Sequence, residues 1–227
     1  MLPLLWSLIS LPLLAADAEK SSTLHYVKPV DDKYVLESEV TTTPNDDGST
    51  FVSRTVRGGE TMTLTIRFDK KGQVVTAEAA FEKDKMKKTA ALAFRDKENA
   101  TLKRGGLTDY LKASPDVIVT TAPDWSDVLQ LVRRYDAKKA GKQEFTGFWF
   151  HPVNAYQSLT FSIEHVGKDK IGVTDKVIDL QRYAINLRSG EYLVWADVDG
   201  KVCKILPRKK GTPVVLEGLE ELTKDLK

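Results

Sequence analysis

Residues 177–206, VIDLQRYAINLRSGEYLVWADVDGKVCKIL, admit few folds. Two reversals punctuate the stretch, at Ser189-Gly190 and Asp199-Gly200, where glycine supplies the positive φ that tight hairpin turns require. Tyr183, Ile185 and Leu187 alternate with Ala184, Asn186 and Arg188, the period of two that belongs to a sheet with one wet face. The stretch therefore reads as three antiparallel strands. It holds no cluster of ionisable groups suited to catalysis.

The same punctuation runs through most of the chain. A first meander of six or seven strands is expected over 23–104, turning at Asn45-Asp46-Asp47-Gly48, at Gly58-Gly59 and at Asp69-Lys70-Lys71-Gly72. After Gly105-Gly106, residues 107–113 read as one or two helical turns that end at Pro115. A single convincing helix follows over 124–134, with Asp124 as N-cap and Asp127 in the first turn. Trp125, Val128, Leu129 and Val132 fall at i, i+3, i+4 and i+7, one apolar stripe, and Arg133 and Arg134 close the helix with the charge its C-terminus favours. A lone amphipathic helix between two blocks of strands must lay that stripe on a sheet. The second meander, 142–216, opens on the aromatic run Gly147-Phe148-Trp149-Phe150. It continues with a hairpin of 159–166 and 171–174 around Gly167-Lys168-Asp169 and ends in a short strand at 213–216. A helical tail is expected over 217–227. D-x-x-G-x-V recurs at Asp69 and at Asp197, which supports a hairpin at each place without establishing a duplication.

At 227 residues the chain is long enough for a core that needs no staples, and the meanders and helix make one β-rich domain over 19–227. Lys+Arg 34 against Asp+Glu 32 are interspersed rather than segregated, so no basic stripe for nucleic acid is present. Residues 1–18 are apolar from Leu2 to Leu14, too short to span a membrane, and end in Ala16-Asp17-Ala18, an A-x-A cleavage site. They read as a signal peptide that lacks the usual cationic start; the alternative is a buried first segment of the domain. The single cysteine, Cys203, lies far from that site, which excludes a lipid-anchored precursor, and it cannot form an internal disulfide. By strand parity it shares a face with Ile205 and reads as an inert core thiol.

From Asp124 on, the order of features resembles a family of uncharacterised exported bacterial envelope proteins. The features are a D-W-S-D-V-L-Q-L-V-R-R helix, a Gly-Lys turn, an aromatic strand and a meander ending in Tyr192-x-Val194-Trp195-x-Asp197-x-x-Gly200. Those domains are similar in shape to the periplasmic lipoprotein carriers of the localisation (Lol) pathway. A similar domain occurs fused to secreted α/β-hydrolases. The resemblance spans residues 123–216. It implies an incomplete antiparallel β-barrel and a periplasmic or secreted location, and it brings no catalytic residues.

The motifs of chemistry are missing. Counted from Asp197, the twelfth position of a calcium loop is Arg208 where Glu is needed. His25, His151 and His165 lack zinc-ligand spacing, and neither G-x-S-x-G nor H-E-x-x-H occurs. No metal or cofactor is expected. What remains is apolar binding: Trp125, Leu129, Phe148, Phe150, Leu193 and Trp195 are the candidate lining of a concavity under the helix, against the plainer reading that they are core. The expected fold is mainly β, a strongly curved antiparallel sheet or half-barrel plugged by one helix. The expected function is non-enzymatic: an exported protein that binds or carries an apolar or lipid-like ligand, or an envelope partner. The alternative is an accessory β-module serving a secreted α/β-hydrolase.

Overall fold

Alternation decides the first half of the chain. In Glu60–Asp69, Met62, Leu64 and Ile66 are buried while Thr63, Thr65 and Arg67 point away, and the neighbouring strands repeat the pattern. The computed structural model describes residues 20–121, 125–153, 156–173 and 176–223. The signal-like segment 1–18, the Asp124 cap and the end of the tail lie outside them. Fifteen strands among the described residues form one sheet: β1 (Ser22–Val30), β2 (Lys33–Asn45), β3 (Gly48–Arg57), β4 (Glu60–Asp69), β5 (Val74–Lys83), β6 (Met86–Phe94), β7 (Asn99–Arg104), β8 (Leu107–Lys112), β9 (Ile118–Thr120), β10 (Lys142–Phe150), β11 (Tyr156–Val173), β12 (Lys176–Leu187), β13 (Gly190–Ala196), β14 (Val202–Pro207) and β15 (Val214–Leu216). One helix, α1 (Ser126–Arg134), separates β9 from β10.

The strand order is β8 to β1 and then β15 to β9, so each meander pairs only with itself except at β1–β15. That junction is brief: Tyr26 faces Leu216 and Val27 faces Val215. All pairs are antiparallel but β9–β10. The two outer strands, β8 and β9, do not pair, so the barrel is not closed. The sheet nevertheless curls on itself, because side chains from distant strands touch. Arg104 of β7 lies over the Tyr156 ring of β11 at 5.6 Å, and Phe81 of β5 meets His151 at 5.3 Å.

Core side chains pack the inside of the curl. All three residues of β9 are buried, and β10 is packed on both sides. Phe148 and Phe150 lie on one of its faces and Phe161, the partner of Phe145, on the other, yet all three belong to one large core. At Gly147 the Phe161 ring packs directly on the backbone; a Cβ there would stand 2.4 Å from it. A smaller core of Val27, Ile171, Leu180, Trp195, Cys203, Val215 and Leu222 forms separately.

Several expectations are corrected. Residues 107–113 are not helical: Gly105 and Gly106, both with positive φ, turn the chain into β8 as a hairpin partner of β7. The turn at Gly167 is absent, because β11 runs on through 18 residues and Gly167 sits at a bulge, where its lack of a Cβ admits the Arg182 guanidinium. Among the described residues of the tail, Glu220–Thr223 form a short 3₁₀ turn rather than an α-helix. The residue at the N-cap of α1 is Trp125, with no side-chain cap bond. Cys203 does not share a face with Ile205: Trp195 pairs with Lys204 and Ala196 with Val202, which makes Cys203 the extra residue of a bulge and turns it into the small core.

The D-x-x-G-x-V echo proves structural. At each site the Asp side chain accepts two backbone N–H groups, from Lys71 and Gln73 in one turn and from Asp199 and Lys201 in the other. The glycines have φ of 75° and 78°. Each turn also follows a register shift, with Phe68 facing Val74 and Ala196 facing Val202. The interval that separates Asp69 from Asp197 also carries β2–β6 onto β11–β15, so the two meanders are copies of one plan laid head to tail.

Candidate functional site

The C-terminal end of α1 forms the most structured cleft. The helix stops at Tyr135, whose extended backbone returns its N–H to Leu131 and Val132. One turn earlier, Gln130 is wholly occupied: its amide accepts from Val119 N–H at 3.2 Å and donates to Val119 C=O at 2.7 Å and Ser126 C=O at 3.1 Å. It therefore pairs with the outer edge of β9 as a neighbouring strand would. The dipole of α1 welcomes Arg133 and Arg134 beyond it. Arg134 reaches the Asp69 turn, donating to Asp116 at 2.9 Å and to Gly72 C=O at 3.3 Å. Arg133 donates to the Thr42 hydroxyl at 3.2 Å and lies 5.9 Å from the centre of the Phe51 ring.

Between these groups and the sheet lies a cavity of 420 Å³ walled by Phe68, Phe145, Lys71, Gln130, Arg133 and Arg134. The two phenylalanines are packed against the core on one side and half-exposed on the other. Burial lowers the pKa of both guanidinium groups, and Asp116 partly offsets this for Arg134. Arg133 is exposed and Arg134 half-buried. Both stay charged at any physiological pH. The arrangement offers positive charge beside aromatic surface; it contains no nucleophile–base pair.

Two other cavities lack the paired phenylalanines. One of 580 Å³ lies on the outer face of β4–β7, between Thr63, Thr65, Glu78, Thr89 and Lys103 over a floor of alanines. Another of 370 Å³ is bordered by Asp31, Asp32, Glu220 and Glu221. Neither has an aromatic wall beyond Tyr34 in the second.

The six residues anticipated as a pocket lining are not brought together. Trp125 packs edge-on to Tyr192 at 5.6 Å, and it joins Leu129, Phe148 and Phe150 in the large core. Leu193 and Trp195 lie with the small core. There the Trp195 indole donates to Asp169 at 2.8 Å, with the Lys204 ammonium 5.1 Å from its ring. Sequence reading missed Arg133 and Arg134 as site residues because it used them only to end the helix. Phe68, Lys71 and Phe145 carry no local signal, since only the curl of the sheet brings them to α1. The available hint was two adjacent arginines on the one helix.

The histidines are dispersed. His25 bridges Glu39 and Glu217, His165 bonds Gln181, and His151 accepts from Val153 N–H. Among the described residues no three His, Cys, Asp or Glu side chains are placed to hold a metal ion, and no helix is long and apolar enough to cross a membrane.

No known family matches the sequence, and no curated protein matches it either. Among solved structures the chain is similar to a DUF1089 family protein from Pseudomonas aeruginosa, with 13% identity, a TM-score of 0.47, and coverage of 92% of this chain and 97% of that one. At that TM-score the likeness decides neither fold nor function.

Proposed function

We propose that this chain is a non-enzymatic binding protein for an apolar or lipid-like ligand, which it takes at the cleft beyond α1 rather than in the interior of the sheet. One observation carries the reading. Phe68 and Phe145 present half-exposed rings to a 420 Å³ cavity, a size that suits small-molecule sites, on walls fixed by sheet and helix. The signal-like start favours work in an exported, envelope compartment. N-terminal sequencing of secreted material tests that part.

The binding part is tested with a fluorescent fatty-acid probe and by mass spectrometry of extracts from the purified protein. Saturable binding that is weakened by Phe68→Ser and Phe145→Ser together, in a variant that keeps its melting temperature, supports the site. A clean extract with no probe binding removes it.

A second reading, an accessory module for a secreted hydrolase, is favoured by the free edge of β8, where Leu107 and Tyr110 are 67% and 74% exposed. Co-purification with such an enzyme, lost on Tyr110→Pro, supports that role.

A further inference from the structure

We propose that the ligand taken at the α1 cleft is an anionic amphiphile, and that Arg133 is the group that holds its acidic head. The inference rests on the binding reading above and adds the ligand's charge.

The cleft is unbalanced. Lys71, Arg133 and Arg134 face one carboxylate, Asp116, and that one is already bonded to Arg134. Two positive charges are left over. Among the described residues no carboxylate lies within ion-pair distance of Arg133, which donates to the Thr42 hydroxyl and lies over the Phe51 ring. A guanidinium that lacks an acid partner is free to form charge-assisted hydrogen bonds with an incoming anion. Its planar fork suits a carboxylate or phosphate oxygen pair.

Several cations of the chain are matched with carboxylates: Arg104 bonds Asp109, Arg182 bonds Asp169, and Arg57 and Lys28 share the buried Glu37. Arg133, like Arg95 and Arg188, instead lies over an aromatic ring, but it borders the cavity beside the two half-exposed phenylalanines. The Phe51 ring lies 5.9 Å from the Arg133 guanidinium. Gln130 contributes no anion contact, since both ends of its amide are occupied by Val119 and Ser126. The site thus combines a charged grip and an apolar wall within one cavity.

The experiment compares dodecanoate, dodecanol and butyrate by calorimetry on the whole protein, with Arg133→Ala, Arg133→Lys and, as a surface control, Arg208→Ala. Dodecanoate should bind saturably. Dodecanol should bind about tenfold or more weakly, Arg133→Ala should weaken dodecanoate by a similar factor, and Arg133→Lys should recover part of it. Arg208→Ala should change nothing. Dodecanoate and dodecanol binding alike, with Arg133→Ala silent, overturns the anionic inference and leaves the apolar binding reading standing. Butyrate binding as tightly as dodecanoate supports the grip of Arg133 but overturns the lipid-like reading. Binding of none of the three overturns both. Thermal melts of each variant guard against a folding defect; should Arg133→Ala melt early, the Arg133→Lys comparison carries the test.

Discussion

His25 sits where the two meanders meet, with Nδ1 2.9 Å from Glu217 and Nε2 3.3 Å from Glu39. The hydrogen bond to Glu217, opposed by slight desolvation and helped by both carboxylate charges, raises its pKa above the ordinary 6.5. A pKa raised on folding contributes stability that is complete below the unfolded value and is lost as pH climbs through the folded one. His151 works the other way: burial lowers its pKa, so stability falls as pH drops below 6.5 and the unfolded chain takes up a proton that the folded one resists. The melting temperature should therefore decline slightly from about pH 6.5 to 8, and His25→Gln should flatten that decline. A slope that survives the substitution would assign it to another group. Parity reading failed at the residue scale in one instructive place. It set Cys203 beside Ile205, but a bulge slips the strand by one and moves the thiol to the other core, where burial pushes its pKa to about 11. Its inertness was legible, and its neighbours were not.

Strand pattern was the most legible element signal, because alternation and turn residues act locally. The stretch 177–206 became β12, β13 and β14 as its turns required. Misreadings arose where a glycine had two meanings. Gly105-Gly106 reads as a break and is a hairpin turn; Gly167 reads as a turn and marks a bulge. The stripe of α1 was read correctly as buried, but Gln130 also is 4% exposed, for a reason no periodicity carries: it completes the edge of β9. Gln130→Ala would leave the Val119 N–H and C=O buried without partners, and the expected loss is roughly 1–3 kcal/mol for each group. Urea unfolding measures it. A variant as stable as the parent would mean that another group satisfies that edge. Gly147→Ala should also destabilise, by about 1–3 kcal/mol, since Phe161 must shift to admit a methyl group.

At the scale of the molecule, two copies of one meander plan are joined through a pairing of only two residues a side. Side-chain bonds reinforce it: the Tyr26 hydroxyl donates to Val202 C=O, Tyr34 bonds Thr223, and the Lys204 ammonium donates to Leu222 C=O. Deleting 214–227 removes β15 and every one of these but the Tyr26 bond. Hydrogen exchange in β1 and β14 should then rise sharply while β3–β5 stay protected; unchanged protection of β1 would show that the halves do not depend on the junction. The fold class could be read in advance because it follows from repeated local turns. The cleft could not, since it draws on β4, α1 and β10, elements that meet only through the curl. The helix lies between the duplicated turns, with Arg134 bonded to Gly72 and Val132 touching the position of a Gly200 Cβ.

The Gln130 amide has a last consequence. A sheet with two bare edges is a monomer unit for fibrils, because each copy can offer one edge to the molecule ahead and the other to the molecule behind. In this protein β9 is buried and its outer edge is occupied by a side chain of its own helix. Of the two outermost strands among the described residues, β8 is the one whose edge stays free. Strand addition through β8 therefore joins two molecules edge to edge, and the β9 ends of such a pair offer no matching edge for a third.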